Sequence, residues 1–230
     1  MSSQIDAAIA AAEAKASETP QDTGTALTPA AGGQLAPAGG GAVDMSLTSF
    51  LKSGGINPDK WVQVKDTGFR LDKNEKALIE EVVVDIDFAN VKLFQGLRIA
   101  LPGNKYEYIK TYDGRTEAKT GQAWGAATAE ANGRSISPQN PYRGADILMV
   151  NVADVTQGKT TVPAGTKLGL TTSITGFAPF QSFLASLIEA GEVTVGSDGS
   201  TLAGVVRTKV THEAMSNADY EWGILNFEKA

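Results

Sequence analysis

The sequence predicts a mainly β domain with a few helices, folded as an antiparallel barrel or a β-sandwich with one amphipathic helix near residues 178–190. Short segments of alternating apolar and polar residues follow one another through turn residues, without regular helical crossovers between them. Only the segment 178–190 repeats its apolar residues at strong helical spacing. Hydrophobic residues make up 42% of the 230 residues, which is enough to bury a core.

The first 43 residues differ in composition from the rest of the chain. They are rich in Ala, Gly, Pro, Ser and Thr and contain no aromatic residue. Such a segment cannot bury a core, so we predict a disordered arm over 1–43 and a single β-rich globular domain over 44–230. A solubilising tail is the simplest role for the arm, and an interaction tail is the alternative. Asp44 is a candidate cap of a short helix that ends near Lys52.

The strand predictions rest on alternation and on turn residues. The segment 79–88 has the strongest pattern, because Val82, Val84 and Ile86 share one apolar face while acidic residues mark the other. The turn residues 102–104 (Pro-Gly-Asn) predict a hairpin between the strands beside them. The predicted strands cover 61–64, 69–71, 79–88, 91–101, 105–112, 142–155, 168–174, 203–211 and 220–227.

Two helices are predicted after this hairpin. The segment from Gln122 to Asn132 is a weak helix prediction, because glycine lies within it and its apolar face is sparse. The segment 178–190 is a clear helix that Gly191 ends, and its stripe is typical of a core face. Residues 156–161, between the two helices, are predicted to be a polar loop. The apolar stripe consists of Phe177, Phe180, Phe183, Leu184, Leu187 and Ile188.

Charge and composition exclude several classes of protein. The net charge is −6, yet residues 92–143 hold eight basic and four acidic side chains, which favours a local basic patch. The absence of cysteine excludes disulfides and thiolate metal sites. No run of about 18 apolar residues is present, as a membrane span would need, and the N-terminus does not resemble a secretory signal. We therefore predict no membrane partner and a cytoplasmic location, which is the host cytoplasm if the protein is viral.

The segment 106–115 is the strongest candidate for a functional surface. On a strand, Tyr106, Tyr108, Lys110 and Tyr112 would share one face. Three tyrosines and a lysine form an aromatic, cationic row of the type that stacks bases and follows a phosphate backbone. The alternative is a set of half-buried core tyrosines with their hydroxyls at the rim. Further aromatic candidates are Trp61, Phe69, Trp124 and Tyr142.

Other motifs have simple structural explanations, and we predict neither an enzyme nor a cofactor. The sequence Gly-Lys-Thr at 158–160 resembles the end of a phosphate-binding loop, but the expected upstream glycine and following helix are missing. Asp85 and Asp87 share a strand face and would suit a divalent cation, but a solvated strand face is the simpler explanation. His212 is the only histidine, and a surface role is the simplest interpretation.

A resemblance to a known class supports the functional interpretation of the tyrosine row. The run 109–114 after a hairpin, the glycine-rich insert, the Phe-rich helix and the closing strand 220–227 resemble small phage-encoded single-stranded DNA-binding proteins. The resemblance covers about residues 58–228, and it implies an OB-like barrel whose partner is single-stranded DNA. A homo-oligomer is compatible with it. The predicted nucleic-acid-binding residues are Tyr106, Tyr108, Lys110, Tyr112, Arg115, Lys105, Lys119, Trp124 and Arg143.

Two other functions stay open at this point. A virion structural protein, such as a capsid decoration or head-associated protein, would also combine a β-rich domain, an Ala/Pro/Gly-rich arm and overall acidity. A metal-dependent nuclease built on Asp85 and Asp87 is the third alternative, and it rests on that pair alone.

Overall fold

The computed structural model describes residues 55–197 and 201–230, and within them the protein is mainly β. The predicted arm 1–43 and the predicted helix from Asp44 to Lys52 lie outside these residues. The α-helices of the described part are α1 (Trp124–Arg134) and α2 (Phe177–Glu189), and a 3-10 helix covers Phe88–Asn90. The strands are β1 (Lys60–Trp61), β2 (Gln63–Val64), β3 (Phe69–Arg70), β4 (Glu81–Asp87), β5 (Lys92–Leu101), β6 (Lys105–Thr111), β7 (Tyr142–Asn151), β8 (Val155–Gln157), β9 (Thr160–Val162), β10 (Lys167–Thr171), β11 (Thr194–Val195), β12 (Leu202–Ala203), β13 (Val205–Ser216) and β14 (Glu221–Lys229).

The longer strands form one strongly curled half-barrel sheet. Its main path runs β1-β10-β7-β4-β13-β14, and every pair in it is antiparallel except β1 with β10. One edge of β7 pairs with β5 along residues 142–146 and with β4 along residues 149–151. The sheet therefore divides at β7 into two wings. The β5–β6 hairpin forms one wing, and β4, β13 and β14 form the other.

The main core lies between the sheet and α2. Alternate residues of each strand point inward, so β4 contributes Val84 and Ile86 and β7 contributes Ile147, all of them fully buried. Helix α2 covers these side chains with its apolar stripe, and Phe180 lies at the centre of the contact. Its ring centroid is 6.3 Å from that of Phe88 and 5.3 Å from that of Phe227. Burial of this helix face against the sheet is the main apolar contact of the fold.

A second, smaller apolar cluster lies under the β5–β6 wing. Helix α1 packs there against the inward-facing residues of β5, and Trp124 and Ala131 contact Leu97 and Ile99. Ile109 of β6 joins the cluster as a partly buried residue. Helix α1 therefore covers one face of this wing, and the opposite face is the outer surface of the sheet.

Several predicted elements are confirmed. The fold is mainly β with few helices, the amphipathic helix predicted at 178–190 is α2, and the weak helix prediction from Gln122 to Asn132 corresponds to α1. The hairpin predicted at 102–104 joins β5 to β6 as an antiparallel pair. Gly103 and Asn104 both have positive φ there, 79° and 56°, which suits a tight hairpin turn.

Two predictions are wrong in detail. The predicted polar loop 156–161 is instead the antiparallel β8–β9 ribbon, which turns at Gly158 with φ of 61°. Each strand has only three residues, which is too short for alternation to be visible in the sequence. The predicted strand 142–155 ends at Asn151, because the side-chain amide of that residue bonds the following loop. Its Nδ2 donates to the carbonyls of Ala153, Val162 and Pro163.

A candidate nucleic-acid-binding surface

The outer surface of the β5–β6 wing carries four aromatic side chains and one arginine, which we call the aromatic face. It consists of Phe94, Arg98, Tyr106, Tyr108 and Tyr142. The strand register brings these residues together from three strands. Arg98 of β5 lies opposite Tyr108 of β6, and Tyr142 of β7 lies opposite Gly96 of β5. Because alternate residues share a face, all five side chains point away from helix α1.

Two rings of the aromatic face are open to solvent. Tyr106 is 50% exposed and Tyr108 is 61% exposed. The guanidinium of Arg98 lies over the Tyr106 ring, with its central carbon 5.1 Å from the ring centroid. Within the described residues, the buried Nε of Arg98 has no hydrogen-bond partner. The arrangement offers two exposed aromatic rings beside a guanidinium cation.

Two glycines let the other rings lie close to the sheet. A side-chain Cβ at Gly96 would come within 2.9 Å of Cζ of Tyr142, and one at Gly144 within 2.3 Å of Cζ of Phe94. The Phe94 and Tyr142 rings meet edge to face, with centroids 6.2 Å apart. Burial, followed by the nearby Tyr108 and Asp146 side chains, raises the pKa of Tyr142 to about 12.

Gly144→Ala is expected to lower the free energy of unfolding by about 1–3 kcal/mol, because the added methyl group needs the space that the Phe94 ring fills. Urea denaturation measures this change. The matched control is Gly133→Ala in helix α1, where an added Cβ meets nothing within 4 Å. Alanine there should raise stability by up to about 1 kcal/mol, because it favours the helix more than glycine. Equal effects at both positions would contradict the packing described here.

The predicted tyrosine row turns inward at Lys110 and Tyr112. Nζ of Lys110 lies 2.6 Å from Oδ2 of Asp146, and the Tyr112 hydroxyl donates to the same oxygen at 2.5 Å. Thr171 donates to Oδ1 at 2.6 Å, and only 1% of Asp146 is exposed. Burial, and then the Asp146 carboxylate, raise the pKa of Tyr112, so its hydroxyl stays protonated as a donor. Lys110 and Tyr112 are therefore members of a partly buried polar cluster around the buried Asp146 carboxylate, and we leave them out of the aromatic face.

Tyr112 is held in place by the loop that follows it. The Asp113 carboxylate accepts hydrogen bonds from the backbone N–H groups of Arg115 and Thr116 and from the hydroxyls of Thr111 and Thr116. Burial alone would raise the pKa of Asp113, but these bonds outweigh it and lower that pKa to about 2. Gly114 adopts φ of 70° in this turn.

Two other predicted residues point away from the aromatic face. Trp124 is the first residue of α1 and is 8% exposed. Its ring lies between the helix and the sheet, and its Nε1 donates to Oε1 of Gln95 at 2.9 Å. Its ring lies on the helix side of the wing, so the expectation that Trp124 stacks bases on this face is not met. Arg143 lies between two residues whose contacts place them on the outer surface, so its side chain leaves from the opposite face. Lys105 is exposed at the start of β6, and Arg115 and Lys119 are exposed in the loop before α1.

The carboxylates considered for a metal site have protein partners. Asp85 forms a two-pronged ion pair with Arg207, at 2.9 and 3.1 Å, and this bond lowers the pKa of Asp85. Asp87 accepts from the backbone N–H of Ala89 and from the side-chain amide of Asn90. Within residues 55–197 and 201–230, no group of three or more His, Asp or Glu side chains could hold a metal ion. The Nε2 atom of His212 lies 2.9 Å from the carbonyl of Lys65.

Comparisons of the chain with protein-family models, curated proteins and solved structures found no match. None of the helices in the described part of the chain is long and apolar enough to cross a membrane.

Proposed function

We propose that the protein binds single-stranded DNA on the aromatic face. One observation carries the proposal: two exposed tyrosines of one strand, Tyr106 and Tyr108, project from the same face beside the guanidinium of Arg98. An exposed ring has a free π-face, and stacking on it requires a base that is not already stacked within a duplex. A single strand meets this requirement, since its bases can be splayed onto the protein.

The spacing of the two tyrosines supports binding of neighbouring bases. Residues two apart on an antiparallel strand are separated by about 7 Å. This is roughly twice the distance between stacked bases of one DNA strand, so the two rings suit neighbouring bases that are splayed apart and no longer stacked on each other. The cation nearest the exposed rings is Arg98, whose guanidinium carbon lies 5.1 Å from the Tyr106 ring centroid and whose charge is suited to neutralising a phosphate. The fixed β5–β6–β7 framework would hold the rings and this cation in place before the DNA arrives, which reduces the entropic cost of binding.

Fluorescence anisotropy of a labelled oligo-dT of about 30 nucleotides, a length that spans several site sizes of an OB-type protein, tests the proposal directly. The titration is run at low and at physiological salt, with a duplex of the same length as a control. We expect binding to the single strand that weakens as salt rises, because phosphate contacts release counterions. No binding at low salt would contradict the proposal. That result would favour the alternative of a virion structural protein, which predicts large oligomers that do not bind DNA.

Tyr108→Ala is expected to weaken oligo-dT binding by about tenfold or more, because stacking of one base on an aromatic ring contributes about 1–3 kcal/mol. The same anisotropy titration measures the change. Tyr220→Ala is the matched control, since Tyr220 is 71% exposed on the β13–β14 connection, away from the aromatic face. The control should bind like the unmodified protein, and both variants should keep its unfolding midpoint. Equal affinities for Tyr108→Ala and Tyr220→Ala would remove Tyr108 from the site.

A further inference from the structure

The last strand of the chain, β14, forms an open edge of the main sheet. It pairs with β13 on one side, and within the described residues no backbone group bonds its other side. The pairing runs from Glu221 to Lys229 without a bulge, and the strand contains no proline. Its charged residues lie only at the ends, while its centre is Ile224-Leu225-Asn226-Phe227. Long, regular and centrally uncharged edges of this kind readily pair with another strand.

The edge of the β5–β6 wing, formed by β6, is protected. Strand β6 carries charges along its length, at Lys105, Glu107 and Lys110. Its end is also covered, because the backbone N–H of Ala118 donates to the carbonyl of Lys110. Charges and a covering loop are the usual means of preventing edge-to-edge association. Of these two edges, only β14 has an uncharged centre, and the segment that contains Val64 and Lys65 packs against the face of its first half near Gly223.

The symmetry of a dimer restricts how two β14 strands can pair. A two-fold axis that relates adjacent antiparallel strands stands perpendicular to the sheet, so each copy keeps its core face on the same side. Side chains alternate between faces, and each residue must therefore lie opposite one of the same face. The axis then passes midway between the two copies of a single residue, which lie opposite each other. The registers centred on Ile224, Leu225 and Asn226 are the three that keep most of the strand paired.

The charges at the strand ends favour one of these registers. Centred on Leu225, the pairing sets Glu221 opposite the second copy's residue 229, a lysine, and does so twice by symmetry. Opposite charges directly across an antiparallel pair stabilise it. Centring on Ile224 instead sets Glu221 opposite a phenylalanine, and centring on Asn226 sets Lys229 opposite a glycine. We propose that the chain forms a symmetric dimer through antiparallel pairing of β14 with β14 of a second copy, with the two copies of Leu225 opposite each other across the two-fold axis.

The neighbouring groove supports a second copy as the partner. A groove of about 610 Å³ lies between α2 and β14, and β13 contributes no residue to it, so it opens on the free side of β14. Its helix wall includes the small residues Ser182, Ser186 and Ala190. In the proposed dimer both α2 helices lie on the same side of the joined sheet, and small side chains allow them to approach across the axis. Lys229, which contacts Glu192 at 2.8 Å within one copy, would then also meet the second copy's glutamate at 221.

Site-specific cross-linking tests the register. The chain contains no cysteine, so Glu221→Cys and Lys229→Cys each introduce a single thiol at an exposed position. In the proposed register these two positions are opposite each other, whereas the two copies of position 221 are about 27 Å apart. A short thiol-specific cross-linker should therefore join a mixture of the two variants and leave each variant alone unlinked. Cross-linking of the single variants to the same extent would overturn the register.

Charge exchange tests the dimer itself, with the full chain at several concentrations by sedimentation equilibrium. The unmodified protein should reach about twice its mass of 24.0 kDa. Glu221→Lys places like charges opposite each other twice and should weaken dimerisation by about tenfold. Adding Lys229→Glu restores opposite charges and should recover most of the loss. Glu107→Lys on β6 is the control and should have no effect. A monomer at every concentration would overturn the proposal, as would equal association of Glu221→Lys and the unmodified protein, and both outcomes are independent of DNA binding.

Discussion

Asp146→Ala is expected to lower the free energy of unfolding by about 2–4 kcal/mol, because it removes a carboxylate that is only 1% exposed and that accepts hydrogen bonds from three side chains. The change leaves the Lys110 ammonium without its counter-charge at 2.6 Å and leaves the hydroxyls of Tyr112 and Thr171 without their acceptor. Urea denaturation, followed by tryptophan fluorescence, measures the loss.

The matched control for this prediction is Asp85→Ala. Asp85 also accepts two hydrogen bonds in an ion pair, but its side chain is 34% exposed, whereas that of Asp146 is 1% exposed, and its partner Arg207 is 57% exposed. Exposed ion pairs contribute about 0–1 kcal/mol, so the control should change stability little. Similar losses for the two variants would show that burial of Asp146 does not determine its contribution.

The alternation of residues along strands was a reliable guide to the fold. Val82, Val84 and Ile86 share one face in the sequence pattern, and all three are buried in the structure. The same rule places Tyr106 and Tyr108 together on an outer face. These predictions succeed because the position of a side chain relative to the sheet depends only on its parity within the strand.

The inward turn of the tyrosine row could not be predicted in the same way. Parity assigns Lys110 and Tyr112 to the face of Tyr108, and this is where they lie. Their burial depends on Asp146, which is 36 residues from Lys110 and 34 from Tyr112 in the sequence. The pairing of β7 with β5 brings that carboxylate to the row. A single strand pattern carries no information about such a distant partner.

Arg98 was missed although the sequence contains a signal for it. The hairpin turn at 102–104 sets Leu101 opposite Lys105, and counting back from that pair sets Arg98 opposite Tyr108. The register of a hairpin follows from its turn, so this neighbour was predictable from local sequence. Trp124 is different, because its position under the wing depends on how α1 packs against Leu97 and Ile99.

Phe180→Ala is expected to lower the free energy of unfolding by about 3–5 kcal/mol, the range for removal of a fully buried aromatic side chain. Phe180 is completely buried, and its ring lies between those of Phe88 and Phe227, so the substitution leaves a cavity between α2 and the sheet. Phe177→Ala in the same helix is the control and should cost less, because Phe177 is only partly buried at the edge of the core. Equal losses in urea denaturation would contradict the packing of α2.

The Phe180→Ala variant also separates stability from binding. Phe180 belongs to the main core, whereas Tyr108 lies on the outer surface of the wing that α1 supports through a separate apolar cluster. Under conditions where the variant remains folded, it should bind oligo-dT like the unmodified protein. Tyr108→Ala should show the reverse behaviour, with weakened binding and an unchanged unfolding midpoint, because an exposed ring contributes little to the core. If Phe180→Ala lost affinity as severely as Tyr108→Ala while folded, DNA binding would depend on the main core, and the aromatic face would not be the site.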